Sequence, residues 1–145
     1  MIETELTALA ARIAEDAHAG QVDKAGNPYI LHPLRVAEGQ KSELATVVAL
    51  LHDVVEDTDW TFDDLLEAGI PAEAVNSLRY LTHEKYIPYM DYIKGLAQDP
   101  VARAVKLADL EHNMDTTRMN RELTEREKEK QKKYAAAYKY LKSLD

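Results

Sequence analysis

The chain has 145 residues, 46% hydrophobic and 30% charged, enough for one domain whose core needs no covalent staple. Cysteine is absent, which excludes disulfides, thiolate metal sites and a cysteine nucleophile. A net charge of -8 argues against non-specific binding to nucleic acid or an anionic membrane, but leaves a small anionic substrate open. The N-terminus is acidic rather than a basic leader, and no apolar run approaches the ~20 residues that span a bilayer, so the expected location is cytoplasmic.

In chain order, Leu6, Leu9, Ala10, Ile13, Ala14 and Ala17 recur at helical spacing between Glu3 and Ala19, and Gly20 suits the stop. Residues 21–29 (QVDKAGNPY) read as a polar loop, after which a short helix is expected near Pro33. The segment ELATVVALLHDVVED, opened by Ser42 or a neighbour, is apolar almost all round and predicts a continuous buried helix. Thr61 and Asp64 resemble a capping box for a helix that Gly69 closes, and another helix is expected from about Pro71 to Thr82. A segment around Tyr89 to Ala97 precedes Asp99-Pro100, which opens the ARAVKLADLEHN helix. Thr124 and Glu127 cap a long C-terminal helix, with Tyr134, Ala137, Tyr138 and Leu141 on its apolar face and TEREKEKQKKY as a solvated face. No alternating strand, repeat or linker interrupts this pattern. The expected fold is an all-α, compact single domain over residues 1–145.

Three polar interruptions of apolar sequence carry the chemistry. VVALL runs directly into His52, Asp53, Glu56 and Asp57, although charged groups are rarely buried unless paired or bound to metal. On one continuous helix His52 would lie above Glu56 and Asp53 above Asp57, with His52 and Asp53 about 100° apart. The competing reading is a helix that simply emerges into solvent at His52. Asp109 stands among Val105, Leu107, Ala108 and Leu110, and His32 among apolar residues before Pro33. Each signal alone fits a structural residue. Together they form a mixed N/O donor set suited to Mn²⁺, Fe²⁺, Zn²⁺ or Mg²⁺.

The order H…HD…D on helices is that of the HD-domain phosphohydrolases. DKAGNPYILHPLRVA, ALLHDVVEDTDWTFDDL and VKLADLEHNMDTTR further resemble the hydrolase domain of the RelA/SpoT family, especially its stand-alone small alarmone hydrolases, over roughly residues 9–118. That resemblance implies a helical bundle with one Mn²⁺ on His32, His52, Asp53 and Asp109, and hydrolysis of the 3′-pyrophosphate of (p)ppGpp to pyrophosphate and GDP or GTP. It implies that Glu56 and Asp57 are the catalytic pair that orients and deprotonates water. It matches Lys24 to a nucleotide-loop cation that meets phosphate or stacks on the base, and Asn113 to a position on the ribose or the site's hydrogen-bond network.

Tyr29 is a candidate to close over the ribose, and Lys106 or Arg118 to neutralise the pyrophosphate, with a surface ion pair an equal alternative for Lys106. His18 is expected to pack structurally; His83 and His112 have no assigned role, and His83 alone is placed for a second metal, so a single ion is expected. The long alarmone enzymes carry Arg-Lys where this chain has Asp23-Lys24, which removes a guanidinium that can stack on guanine. That departure keeps open a different nucleotide, such as NADPH or a nucleoside monophosphate. A non-catalytic HD regulatory module is the reading from another class. With no synthetase or regulatory domain in this sequence, the chain is not expected to make the alarmone.

Overall fold

The computed structural model describes residues 1–117 and 119–145, which contain nine α-helices and no named strand. They are α1 (Glu5–Ala17), α2 (Leu31–Glu38), α3 (Glu43–Leu51), α4 (Val54–Asp57), α5 (Phe62–Ala68), α6 (Ala72–Leu81), α7 (Tyr89–Leu96), α8 (Pro100–Met114) and α9 (Glu125–Ser143). The all-α expectation holds. None of the described helices is long and apolar enough to cross a membrane.

Helix α3 is the axis of the fold because its sequence offers no polar face. Val47, Val48, Leu50 and Leu51 are fully buried, and α1, α2, α6 and α8 pack around it. Ser42 starts it by accepting the N–H of Ala45 (3.1 Å). The expected capping boxes form at Thr61/Asp64 and Thr124/Glu127, and Gly69 closes α5 at φ +108°. Asp99 caps α8 by accepting the Ala102 N–H at 2.9 Å.

One expectation fails at the most interesting place. The helix through ELATVVALLHDVVED is not continuous: α3 ends at Leu51 and α4 begins at Val54. The His52 N–H turns back to Ala49 O (3.5 Å), three residues away, which tightens the last turn instead of extending it. The Asp57 N–H still donates to Asp53 O at 3.0 Å, so Asp53 keeps its helical relation to Asp57. His52 belongs instead to the end of α3, and its stacking over Glu56 does not follow from one continuous helix. The break lets His52 and Asp53 approach α2 and α8 while α4 carries Glu56 and Asp57 onward.

Candidate metal centre and substrate pocket

The chain brings His32 from α2, His52 and Asp53 from the break after α3, and Asp109 from α8 into one cluster. One donor atom from each lies within 4.8 Å of all the others. His32 Nε2 is 2.7 Å from Asp109 Oδ1 and 3.8 Å from Asp53 Oδ2. His52 Nε2 is 3.1 Å from Asp53 Oδ2 and 3.3 Å from Asp109 Oδ1. Burial pushes the Asp53 carboxyl up, but the His52 imidazole beside it outweighs this and holds it at about 2. Burial likewise opposes ionisation of Asp109, yet the Lys106 ammonium and both imidazoles keep it well below the usual carboxylate range. Two ionised carboxylates so close repel each other, and a cation between them removes that repulsion. Two imidazole nitrogens and two carboxylate oxygens in one buried cluster fit a divalent metal ion. Among the described residues no other group of this kind occurs, and His83 is outside it.

The next layer fixes the donors. The Tyr29 hydroxyl donates to Asp53 Oδ2 at 2.5 Å, which engages it at the centre, and its side chain also lines the adjoining pocket. Lys106 Nζ donates to Asp109 Oδ2 (2.9 Å) and lies 5.4 Å from the centre of the Tyr92 ring. Its ion pair is thus with a centre residue and largely buried, not a surface one. Asn113 Nδ2 donates to Asp109 Oδ1 at 3.1 Å. His18 is buried and its Nδ1 lies 2.8 Å from Gln21 Oε1, while Gln21 Nε2 donates to the carbonyl of Asp57. Arg118 lies outside the described residues.

Glu56 and Asp57 stand directly beyond the cluster. The pKa of Glu56 is raised by burial first and by Asp53 and Asp57 next, against a hydrogen bond from the His83 N–H to its Oε1 (3.2 Å). Asp57 is raised by burial and then by Asp53. Carboxyls whose pKa is raised beside such a cluster can serve as a base near neutral pH.

A pocket of about 280 Å³ adjoins the centre through Tyr29 and Asn113. Lys24 lies on its loop side, and Lys130, Gln131 and Tyr134 on its α9 side, over apolar Met119 and Leu123. The charged segment at the start of α9 is therefore not simply a solvated face. Gln131 Nε2 donates to Asn113 O (2.9 Å), and Arg121 grips Glu127 with two bonds of 2.7 and 3.0 Å. Lys24 Nζ is 3.7 Å from Glu127 Oε2, and Lys130 is lowered chiefly by the charge of Lys24. Two ammonium groups at one pocket wall suit an anionic group between them. No spacing in the sequence marks Lys130 or Gln131 as pocket residues, and Tyr134, the one signal on α9, belongs to a stripe whose pattern predicts bundle packing.

Asp23 has a local task. Its Oδ1 accepts the N–H groups of Ala25 and Asn27, each at 2.9 Å, while its own N–H donates to Asn27 O at 2.8 Å. The turn passes through Gly26 at φ +85°, a conformation that favours glycine. The carboxylate that replaces the family's arginine thus ties the loop carrying Lys24. Asp23→Ala is expected to raise KM several-fold with kcat nearly unchanged, and Asp23→Asn to retain the parent KM; steady-state kinetics distinguish the two.

A break that delivers an HD pair to a third and fourth donor on neighbouring helices defines an HD-type helical domain. No family model matches the chain. It is 37% identical over 118 residues to the bifunctional (p)ppGpp synthase/hydrolase SpoT of Escherichia coli, covering 72% of this chain and 17% of that protein. It is 36% identical over 118 residues to the guanosine-3′,5′-bis(diphosphate) 3′-pyrophosphohydrolase of Haemophilus influenzae, with the same coverage. The chain spans less than a fifth of the length of these curated relatives. A solved structure of a metazoan ortholog of SpoT, described as hydrolysing ppGpp, superposes with a TM-score of 0.79 at 24% identity. That alignment covers 97% of this chain and 87% of the other, and shows the shared fold. Over 72% of its length the chain is thus similar in sequence to SpoT-type proteins, and it shares the fold of a metazoan ortholog of SpoT.

Proposed function

We propose that this domain is a metal-dependent (p)ppGpp 3′-pyrophosphohydrolase, with Mn²⁺ held by His32, His52, Asp53 and Asp109. The observation that carries this reading is the four-donor cluster of His32, His52, Asp53 and Asp109, with the Glu56–Asp57 carboxyl pair following it on α4. When bound, the metal polarises a phosphoryl oxygen and lowers the pKa of water. Glu56 and Asp57 would orient a water and take its proton as it adds to the phosphorus joined to the 3′ oxygen. The P–O bond to that oxygen breaks, and the same carboxyl pair returns a proton to the leaving oxygen. Tyr29 and Asn113 hold Asp53 and Asp109 in register, and Lys24 with Lys130 meets the remote phosphates.

Asp23 favours keeping one second reading. Its carboxylate is folded into its own loop, and among the described residues no arginine lines the pocket to stack on guanine. NADPH or a nucleoside monophosphate is the alternative substrate. Incubating Mn²⁺-loaded protein with ppGpp, NADPH and AMP, with phosphate and pyrophosphate measured separately, decides between them. Pyrophosphate from ppGpp is the expected result; phosphate from NADPH or AMP, with ppGpp intact, would replace the first reading by the second.

A further inference from the structure

His32 and His52 are secured differently at the nitrogen that faces away from the cluster. For Nε2 to present a lone pair to a cation, each ring must carry its proton on Nδ1. His52 Nδ1 lies 2.5 Å from the carbonyl oxygen of Ala49, which can only accept, so that requirement is met by the backbone. His32 Nδ1 lies 2.6 Å from a second imidazole nitrogen, Nδ1 of His112. The two rings are 15° from parallel with centroids 4.9 Å apart. Rings stacked face to face do not bring two nitrogens to 2.6 Å, so the pair meets edge to edge through an N–H···N bond. His32 is only 6% exposed, which leaves its Nδ1–H dependent on this partner.

We propose that His112 is a positioning residue for the metal centre: its Nδ1 accepts the hydrogen bond of His32 Nδ1–H, fixing the tautomer and ring orientation that aim His32 Nε2 at Asp53 and Asp109. The inference rests on the four-donor reading above. His112 stands three residues after Asp109 on α8, so one helix supplies both a donor to the centre and the support for another. A metal-bound imidazole ordinarily donates to a carboxylate, carbonyl or water. Here the acceptor is an imidazole, which must itself hold its proton on Nε2.

Mn²⁺ titrations by calorimetry on the whole chain test this. His112→Ala is expected to weaken Mn²⁺ binding about 10–100-fold, the usual effect of removing such a partner. His112→Asn, whose Oδ1 can accept in the place of Nδ1, is expected to restore most of the affinity. His52→Ala is the control and is expected to abolish the binding. Parental affinity in His112→Ala, with binding lost in His52→Ala, would overturn the role of His112 and leave the metal site standing. Parental affinity in both would overturn the metal site itself. Nitrogen-15 NMR of the unmutated, Zn²⁺-loaded protein avoids any folding defect: His32 protonated on Nδ1 and His112 on Nε2 is the expected pattern, and His112 protonated on Nδ1 overturns the proposal.

Discussion

Glu56→Gln should keep the metal, lower kcat by about 10²–10⁴-fold, and raise the Tm of the metal-free protein at neutral pH. The first two effects follow from removing a base while leaving all four donors. The third follows from its raised pKa, caused by burial and by Asp53 and Asp57. A carboxyl raised in the folded state favours folding while it is protonated, and that contribution disappears as pH climbs through the native pKa. At pH 7 the parent therefore folds with an unfavourable charge that glutamine does not carry, and glutamine can still accept the His83 N–H. The Tm advantage should vanish well below the ordinary glutamate pKa of about 4.3. Thermal melts across pH, with metal content and kcat on the same samples, check all three. Parental turnover would remove Glu56 from the mechanism, and an unchanged Tm at pH 7 would deny the buried-charge argument.

Asp109→Ala should have the largest structural consequence of any single change at the centre. It removes one donor, and it also strands Lys106, whose Nζ donates to Asp109 Oδ2 and whose side chain is only 14% exposed. Removing one partner of a buried pair costs about 3–5 kcal/mol because the remaining charge is uncompensated. Adding Lys106→Met should recover most of that stability without recovering metal binding. Urea denaturation of the two single variants and the double variant measures the coupling. Additive costs would show that Lys106 does not depend on Asp109.

Much of this was legible in the residues. The all-α fold and the caps at Thr61 and Thr124 follow from apolar periodicity and capping chemistry, whereas the four donors, each of which alone fits a structural residue, are joined into one set by the resemblance their order carries. The break between Leu51 and Val54 was not legible. No glycine or proline marks it, and it arises because the backbone closes at Ala49 and releases His52 and Asp53 toward other helices. The α9 wall was hidden for a different reason. Lys130 and Gln131 lie in a run of charged residues whose composition suits solvent, and only tertiary packing against Asn113 and the 21–29 loop turns them inward. The partners of Tyr29 and Lys106 were missed because both contacts join residues by side-chain direction, which spacing along the chain does not encode.

The Arg121–Glu127–Lys24 chain of contacts has a consequence for how selectivity can change. On the proposed reading, bond breaking is confined to residues of α2, α4, α8 and the turn after α3, whereas the base and remote phosphates meet the 21–29 loop and α9. Glu127 links those two recognition segments to each other and touches none of the four donors. The recognition segments do reach the centre through Tyr29, which bonds Asp53, and through Gln131, which bonds the Asn113 that holds Asp109. On the same reading, substitutions of α9 residues other than Gln131 are expected to retune which nucleotide is accepted while the hydrolytic centre keeps its geometry.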